Sequence, residues 1–335
     1  MSAPTPSRVL VTGCAGFIGS HLCEHLMNAY PDVTVVGVDA LTPYYDPRVK
    51  RQHATALQER SRFTFVEGDI RDTAVLRQLV AAGPYSHVVH LAGEVGVRPS
   101  LERPADYFSV NCTGTAQLLE AFTPQQPPPH MVLASSSSVY GSSRRLPFHE
   151  DDPCAQPVSP YAASKRAMEL LASSWAASVG GPRITCLRFF TVYGPRQRPD
   201  MAITNFARRM LTQQPIALFD PDGSGRDYTY VGDVVEGIRL AMLRPTEDAP
   251  PAAAARFRVY NIGSGEQVTL REMVRTLQVT LGARIYTTEV GAAAGDVERT
   301  WADLRRAEEE LGYRPTVKLA EGLALSLEHL RQTVR

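Results

Sequence analysis

Short apolar runs alternate along the chain with longer stretches in which apolar residues return every three or four positions. The runs 8–12, 33–38, 63–66, 87–91, 131–134, 184–189 and 258–261 predict strands. Several are nearly all apolar or β-branched, the pattern of strands covered on both faces. Stretches 19–27, 73–81, 113–122 and 162–177 predict helices. This rhythm implies βαβ units and an α/β fold with a parallel, doubly wound sheet. After about Thr191 the rhythm breaks down, which predicts a smaller mixed α/β domain towards the C-terminus. The expected division is residues 1–190 for the sheet domain, with about 226–262 returning to it, and 191–335 mainly for the second domain. The stretches 124–129 and 245–255 read as surface connections.

Composition narrows the function. Thirty-five basic residues balance 35 acidic ones, so the chain lacks the charge excess of a nucleic-acid or acidic-membrane binder. No apolar run approaches the roughly 20 residues that span a bilayer. Residues 1–7 are short and polar, without the apolar core of a signal peptide. The five cysteines are scattered, which argues against a disulfide framework or a zinc site and fits a reducing cytoplasm. His87 and His90 are three apart on a predicted strand and so face opposite ways; we read them as structural and expect no metal.

The first predicted strand runs into Thr12-Gly13-Cys14-Ala15-Gly16-Phe17-Ile18-Gly19 and a helix. Gly13, Gly16 and Gly19 stand where a tight turn, a close backbone approach and close helix–strand packing are needed in a Rossmann-type dinucleotide site. The amides of the helix start, around Phe17 and Ile18, suit a pyrophosphate. Asp39 ends the second run, 20 residues beyond Gly19. A carboxylate there accepts from a ribose diol and repels a 2′-phosphate, favouring NAD over NADP. Asp69 and Ile70, then Leu91, Ala92 and Gly93, close the next two strands on the same crevice.

Ser135-Ser136-Ser137-Ser138-Val139-Tyr140-Gly141 ends the fifth strand, and Tyr161-Ala162-Ala163-Ser164-Lys165 opens a helix. Tyr161 and Lys165, four apart, share a helical face. A nearby ammonium stabilises a phenolate, which would turn Tyr161 into a usable base. The chain has only three lysines, Lys50, Lys165 and Lys318, so this pairing carries weight.

Together these motifs resemble the extended short-chain dehydrogenase/reductases that modify nucleotide sugars, from about Arg8 to about Pro315. Tyr44-Tyr45-Asp46-Pro47-Arg48 and Arg198-Pro199-Asp200-Met201-Ala202 look most like the UDP-glucuronate 4-epimerases within that family. The resemblance implies Tyr161 as the base on the sugar 4-hydroxyl, Lys165 on the nicotinamide ribose and Ser136 on the same hydroxyl. It places Asn111 and Arg98 near the cofactor, Arg226 on the UDP pyrophosphate and Asp296 near the uridine ribose. It also implies a homodimer through helices 113–122 and 162–177. Two departures stand out. Ala292-Ala293-Ala294 precede Gly295-Asp296 where hexose 4-epimerases often carry an arginine, and Thr191 replaces a frequent asparagine.

The implied reaction is NAD-dependent C4 epimerisation through a 4-keto sugar, without net redox change. Ser137, Ser138 and Thr191 are small hydroxyl residues suited to a C6 carboxylate, and Arg198 would add charge. Decarboxylating and dehydrating relatives usually place an acidic residue where Ser138 stands. UDP-glucose 4-epimerisation, UDP-glucuronate decarboxylation, a dTDP-sugar and a non-catalytic NAD-binding role stay open at this point.

Overall fold

The computed structural model describes residues 5–178, 181–244, 256–283, 286–290 and 298–333. Among them, seven parallel strands form the central sheet. They are β1 (Arg8–Thr12), β2 (Thr34–Asp39), β3 (Phe63–Glu67), β4 (His87–His90), β5 (His130–Ser136), β6 (Ile184–Phe189) and, separated from these in the chain, Phe257–Ile262. The spatial order is β3-β2-β1-β4-β5-β6 and then the 257–262 strand. β1 lies between β2 and β4, so Thr12 stands level with both Val38 and His90. The chain order reverses here, and the crevice that this leaves at the carboxyl ends of the strands is where open α/β sheets bind ligands.

Helices cover both faces. α1 (Phe17–Ala29) buries Leu22 and Leu26 on one face, in a core shared with Val235 and Ile238. α2 (Pro47–Gln58) follows β2. The opposite face is covered by α3 (Thr73–Ala81), by the segment α4 (Val97–Glu102), α5 (Pro104–Phe108), a π-helical turn Ser109–Gly114 and α6 (Thr115–Phe122), and by α7 (Pro160–Ala177). Leu79, Leu118, Met168 and Ala172 pack there, each fully or almost fully buried. Burial of this kind contributes about 1.5–3 kcal/mol for each large apolar side chain.

The rest of the chain builds a smaller mixed lobe. It holds β7 (Thr191–Tyr193), α8 (Ala202–Leu211), β8 (Ile216–Phe219), β9 (Gly225–Arg226) and β10 (Tyr228–Tyr230). α9 (Val231–Met242) leads back towards the sheet, whose last strand is β11 (Phe257–Ile262). β12 (Val268–Thr269), α10 (Leu270–Leu281), β13 (Thr287–Val290), α11 (Arg305–Leu311) and α12 (Leu319–Thr333) complete the order. β7–β10 and β8–β13 are parallel pairs, and β9–β12 is antiparallel. Ile203, Met210, Leu218, Met273, Leu277 and Leu323 form the core of this lobe.

Several boundaries differ from the sequence reading. α2 was not anticipated: its buried positions are only Lys50, Ala54 and Leu57, too few to raise an apolar stripe. Its start is nevertheless marked, since the Asp46 side chain accepts from the Arg48 amide and Pro47 sits in the first turn. The helix expected over 113–122 begins with the wider π turn. β5 ends at Ser136, and Ser137–Tyr140 forms a 3₁₀ turn. Residues 245–255 lie outside the described residues.

Candidate active site

The crevice at the strand ends has a volume of about 390 Å³. Its floor begins at the first loop. Gly13 has φ +72°, and a Cβ there would lie 2.8 Å from the Ala92 nitrogen. A Cβ on Gly19 would collide with the Gly13 carbonyl. Only glycine fits both places, and their backbone is thereby bared to the crevice with Gly16, Phe17 and Ile18. Asp39 is buried at the end of β2. One carboxylate oxygen accepts from the Ala15 amide at 3.1 Å and the other from the Leu41 amide at 2.8 Å. Each oxygen keeps a lone pair for a further donor. Asp69 and Ile70 line the neighbouring wall, where Asp69 is clasped by Arg71. Leu91, Ala92 and Gly93 line the opposite one.

The chemical end lies between β5, α7 and β7. Ser136, Ser137, Ser138, Tyr161, Lys165, Thr191 and Arg198 all face the same crevice. α7 starts where it does because the Ser159 hydroxyl accepts from the Ala162 amide and Pro160 opens its first turn. The Lys165 ammonium is buried and donates to the Ala134 carbonyl at 2.8 Å; burial lowers its pKa to about 8. Burial raises the Tyr161 pKa, while a hydrogen bond with Ser136 and the charge of Arg198 pull it down. The Lys165 ammonium thus spends one of its three protons on β5, and the guanidinium of Arg198 is a second cation within reach of the phenol.

Arg198 is fixed from two sides. It makes paired hydrogen bonds to Asp200 at 3.1 and 3.0 Å, and its guanidinium lies over the Tyr44 ring at 5.1 Å. Tyr44 also donates to Asp200, at 3.4 Å. The β2–α2 loop therefore forms a roof over the crevice. Lys50 holds that roof, donating to the Thr42 carbonyl and hydroxyl and lying over the Tyr45 ring. Tyr44 and Tyr45 entered the sequence reading only as motif letters, and Lys50 only as a count. Their role depends on α2, which the periodicity did not show.

Not every expected residue meets this crevice. Asn111 lies just behind it: its side chain bonds the backbone N–H and C=O of Glu94, at 2.9 and 3.1 Å. The Arg98 guanidinium lies over Phe219 instead, and Arg226 donates to the Gly225 and Glu298 carbonyls. Neither lines the crevice. Asp296, with Gly295 and Ala292 to Ala294, lies outside the described residues. His87 bonds the Met242 carbonyl, whereas His90 is held between Thr12 and Thr115.

A buried clamp behind the serines was also missed. Glu169 accepts from Arg188 through two bonds of 2.9 Å and from the Ser135 hydroxyl at 2.6 Å. It stands four residues after Lys165, so Tyr161, Lys165 and Glu169 form one stripe along α7. Nothing in the spacing alone distinguishes this glutamate from a solvated one.

With that geometry in hand, comparison with known proteins is informative. The family model described as GDP-mannose 4,6 dehydratase matches residues 10–325. The chain belongs to that family. Relatives within the GDP-mannose 4,6 dehydratase family include UDP-glucuronate 4-epimerase 3 of Arabidopsis thaliana. It is 41% identical over 324 residues, covering 94% of this chain and 74% of that one. A probable UDP-glucuronate 4-epimerase of Rhizobium meliloti is 38% identical, covering 98% of each chain. Among solved structures, the UDP-glucuronic acid 4-epimerase of Bacillus cereus, in complex with UDP-glucuronic acid and NAD, superposes with a TM-score of 0.87. It is 34% identical, and the match covers 97% of this chain and 99% of that one.

Proposed function

We propose that this protein is an NAD-dependent isomerase that interconverts UDP-glucuronic acid and UDP-galacturonic acid by epimerisation at C4. The observation that carries the reading is the single crevice in which a Tyr–Lys–Ser set meets a hydroxyl-lined wall ending in Arg198. It occurs in a chain 38–41% identical to UDP-glucuronate 4-epimerases.

NAD fits the residues present. The bare glycine floor suits a pyrophosphate, the anchored Asp39 carboxylate a ribose diol, and Asp69 with Ile70 the adenine. Leu91, Ala92 and Gly93 would face the rest of the dinucleotide, and Lys165 its nicotinamide ribose. When bound, NAD supplies reversible hydride acceptance at the sugar C4. Tyr161 takes the proton of the 4-hydroxyl and later returns one to the 4-keto sugar, with Ser136 hydrogen-bonded to the same oxygen. Because Tyr161 is half-buried and its pKa raised, the nearby Arg198 charge favours the phenolate that this step needs.

Ser137, Ser138, Thr191 and Arg198 hold the C6 carboxylate. Their grip matters because a 4-keto uronic acid is a β-keto acid and loses CO₂ when its carboxylate is free to align. Ser138 keeps an acidic group away from that carboxylate. Arg226 and Asp296 are assigned to the UDP moiety, and Arg98 to the cofactor end of the substrate site, on resemblance alone, and Asn111 acts on the cofactor through the Glu94 backbone.

The same reading divides the chain into an NAD-binding domain, 1–190 with about 226–262, and a mainly UDP-sugar-binding domain, 191–335. The pairing of β11 with β6 supports the returning segment. It also includes a homodimer through α6 and α7, supported by the exposure of Leu170 on α7. Among the described residues no helix is long and apolar enough to cross a membrane. The five cysteines are free, which supports a reducing compartment, the cytoplasm.

The test is incubation of the purified protein with UDP-glucuronic acid and no added reductant. A product of unchanged mass that hydrolyses to galacturonic acid is expected. Loss of CO₂ would make it a decarboxylase, and turnover of UDP-glucose alone would move the substrate to a neutral sugar.

A further inference from the structure

His90 lies at the end of β4, beneath the crevice, and is 2% exposed. Its ring nitrogens contact two threonines from different elements: Nδ1 is 2.7 Å from the Thr12 hydroxyl and Nε2 is 3.0 Å from the Thr115 hydroxyl. The direction of each bond follows from the partners. Thr115 Oγ1 is 2.7 Å from the Asn111 backbone carbonyl, which can only accept, so the threonine proton is spent there. Thr115 must then accept from His90, which fixes the proton on Nε2. Burial, aided by the Lys165 charge, lowers the His90 pKa to about 3, so the ring is neutral and Nδ1 is bare. Thr12 donates to Nδ1 and accepts from the Ala92 amide at 3.1 Å.

The same logic continues on the far side. The Ser164 hydroxyl donates to the Tyr161 carbonyl at 2.8 Å, so Asn111 Nδ2 must donate to Ser164, at 2.9 Å. This fixes the amide orientation of Asn111, whose Oδ1 receives the Glu94 N–H. Two ordered runs of hydrogen bonds thus meet at Asn111: one links Ala92, Thr12, His90 and Thr115 to its backbone carbonyl, and the other links its side-chain amide to Glu94 on the crevice wall and to Ser164 in the first turn of the helix that carries Tyr161.

We propose that His90 is a positioning residue, held as its Nε2–H tautomer, that sets the crevice wall and the Tyr161 helix relative to each other. It has two separable arms. The Nδ1–Thr12–Ala92 arm shapes the wall facing the dinucleotide, and the Nε2–Thr115–Asn111–Ser164 arm seats Tyr161. The role in turnover rests on the epimerase reading; the tautomer and the cofactor arm do not.

Two isosteric variants separate the arms. His90→Asn places an acceptor near Nδ1 and keeps the Thr12 arm alone. His90→Gln places a donor near Nε2 and keeps the Thr115 arm alone. The expected result is that His90→Gln weakens NAD binding, measured by calorimetry, about three- to tenfold with kcat little changed. His90→Asn should lower kcat on UDP-glucuronic acid by a similar factor with NAD affinity little changed. Equal losses of both quantities in both variants, or no loss in either, would overturn the proposal.

Nitrogen-15 NMR of the wild-type holoenzyme gives a test that needs neither mutation nor turnover. A pyrrole-type Nε2 and a pyridine-type Nδ1, unchanged between pH 5 and 8, are expected. The opposite tautomer, or a His90 titration in that range, would overturn it. A wild-type protein inactive on UDP-glucuronic acid would instead refute the epimerase reading, leaving the NMR and NAD-affinity results to decide the His90 assignment.

Discussion

At the scale of single residues, chemistry concentrates on Tyr161. Tyr161→Phe removes the proton carrier and is expected to lower kcat about a hundred- to ten-thousandfold while NAD stays bound. Steady-state kinetics beside cofactor fluorescence checks both halves; near-normal turnover would remove Tyr161 as the base. Since burial raises the Tyr161 pKa, kcat should climb as pH rises through neutrality, because more of the phenolate is then present. Arg198→Gln deletes the cation that opposes burial, so that rising limb should move to higher pH in a pH–rate profile. Asp39→Ala should raise NADP affinity relative to NAD, read by titrating each dinucleotide; an unchanged preference would contradict the ribose role. The sequence could bring Tyr161 and Asp39 forward as candidates because each sits at a fixed offset from a local signal, a helix start or a glycine turn, and the structure places both on the crevice. What Arg98 and Arg226 touch was not legible, since the partners of a long side chain are decided by elements far away in sequence, here Phe219 and Glu298.

At the scale of elements, the strands were legible because burial on both faces leaves a largely apolar run, as in Val9-Leu10-Val11 of β1; β6 is buried throughout although it carries Thr185 and Arg188. α2 was not legible, because only Lys50, Ala54 and Leu57 are buried along it. The π turn Ser109–Gly114 was not either, since no residue type announces an i to i+5 pattern. The clamp on α7 ties that helix to β6 through Arg188 and to β5 through the Ser135 hydroxyl, with Arg166 of α7 on the same carboxylate. Glu169 and Arg188 have side chains 0% and 2% exposed, so removing one partner leaves the other charged and dry. Glu169→Gln is expected to cost about 3–5 kcal/mol in urea unfolding. It should also loosen Ser135 and with it the adjacent Ser136. A loss below about 1 kcal/mol would show that Arg188 finds other partners.

At the scale of the whole molecule, buried histidines tie distant parts together. His87 and His130 both bond the Met242 carbonyl at the end of α9, and His21 reaches the Pro195 carbonyl. Burial lowers the pKa of His21 and of His87 to about 4, from an ordinary 6.5. Above pH 6.5 both are neutral folded or unfolded, and their contribution is complete. Between pH 6.5 and 4 the unfolded chain binds protons that the folded chain refuses, so stability falls as pH falls. The urea midpoint should therefore be lower at pH 5 than at pH 7, and His87→Gln should reduce that difference.

The scarcity of lysine has a consequence of another kind. Lys50 and Lys165 are 8% and 4% exposed, whereas the Lys318 side chain is 75% exposed. An amine-seeking reagent thus meets one open lysine side chain, Lys318, besides the α-amino group. The two shielded amines line the crevice, so the slowing of Lys165 acylation under added dinucleotide reports how fully the occupant covers it.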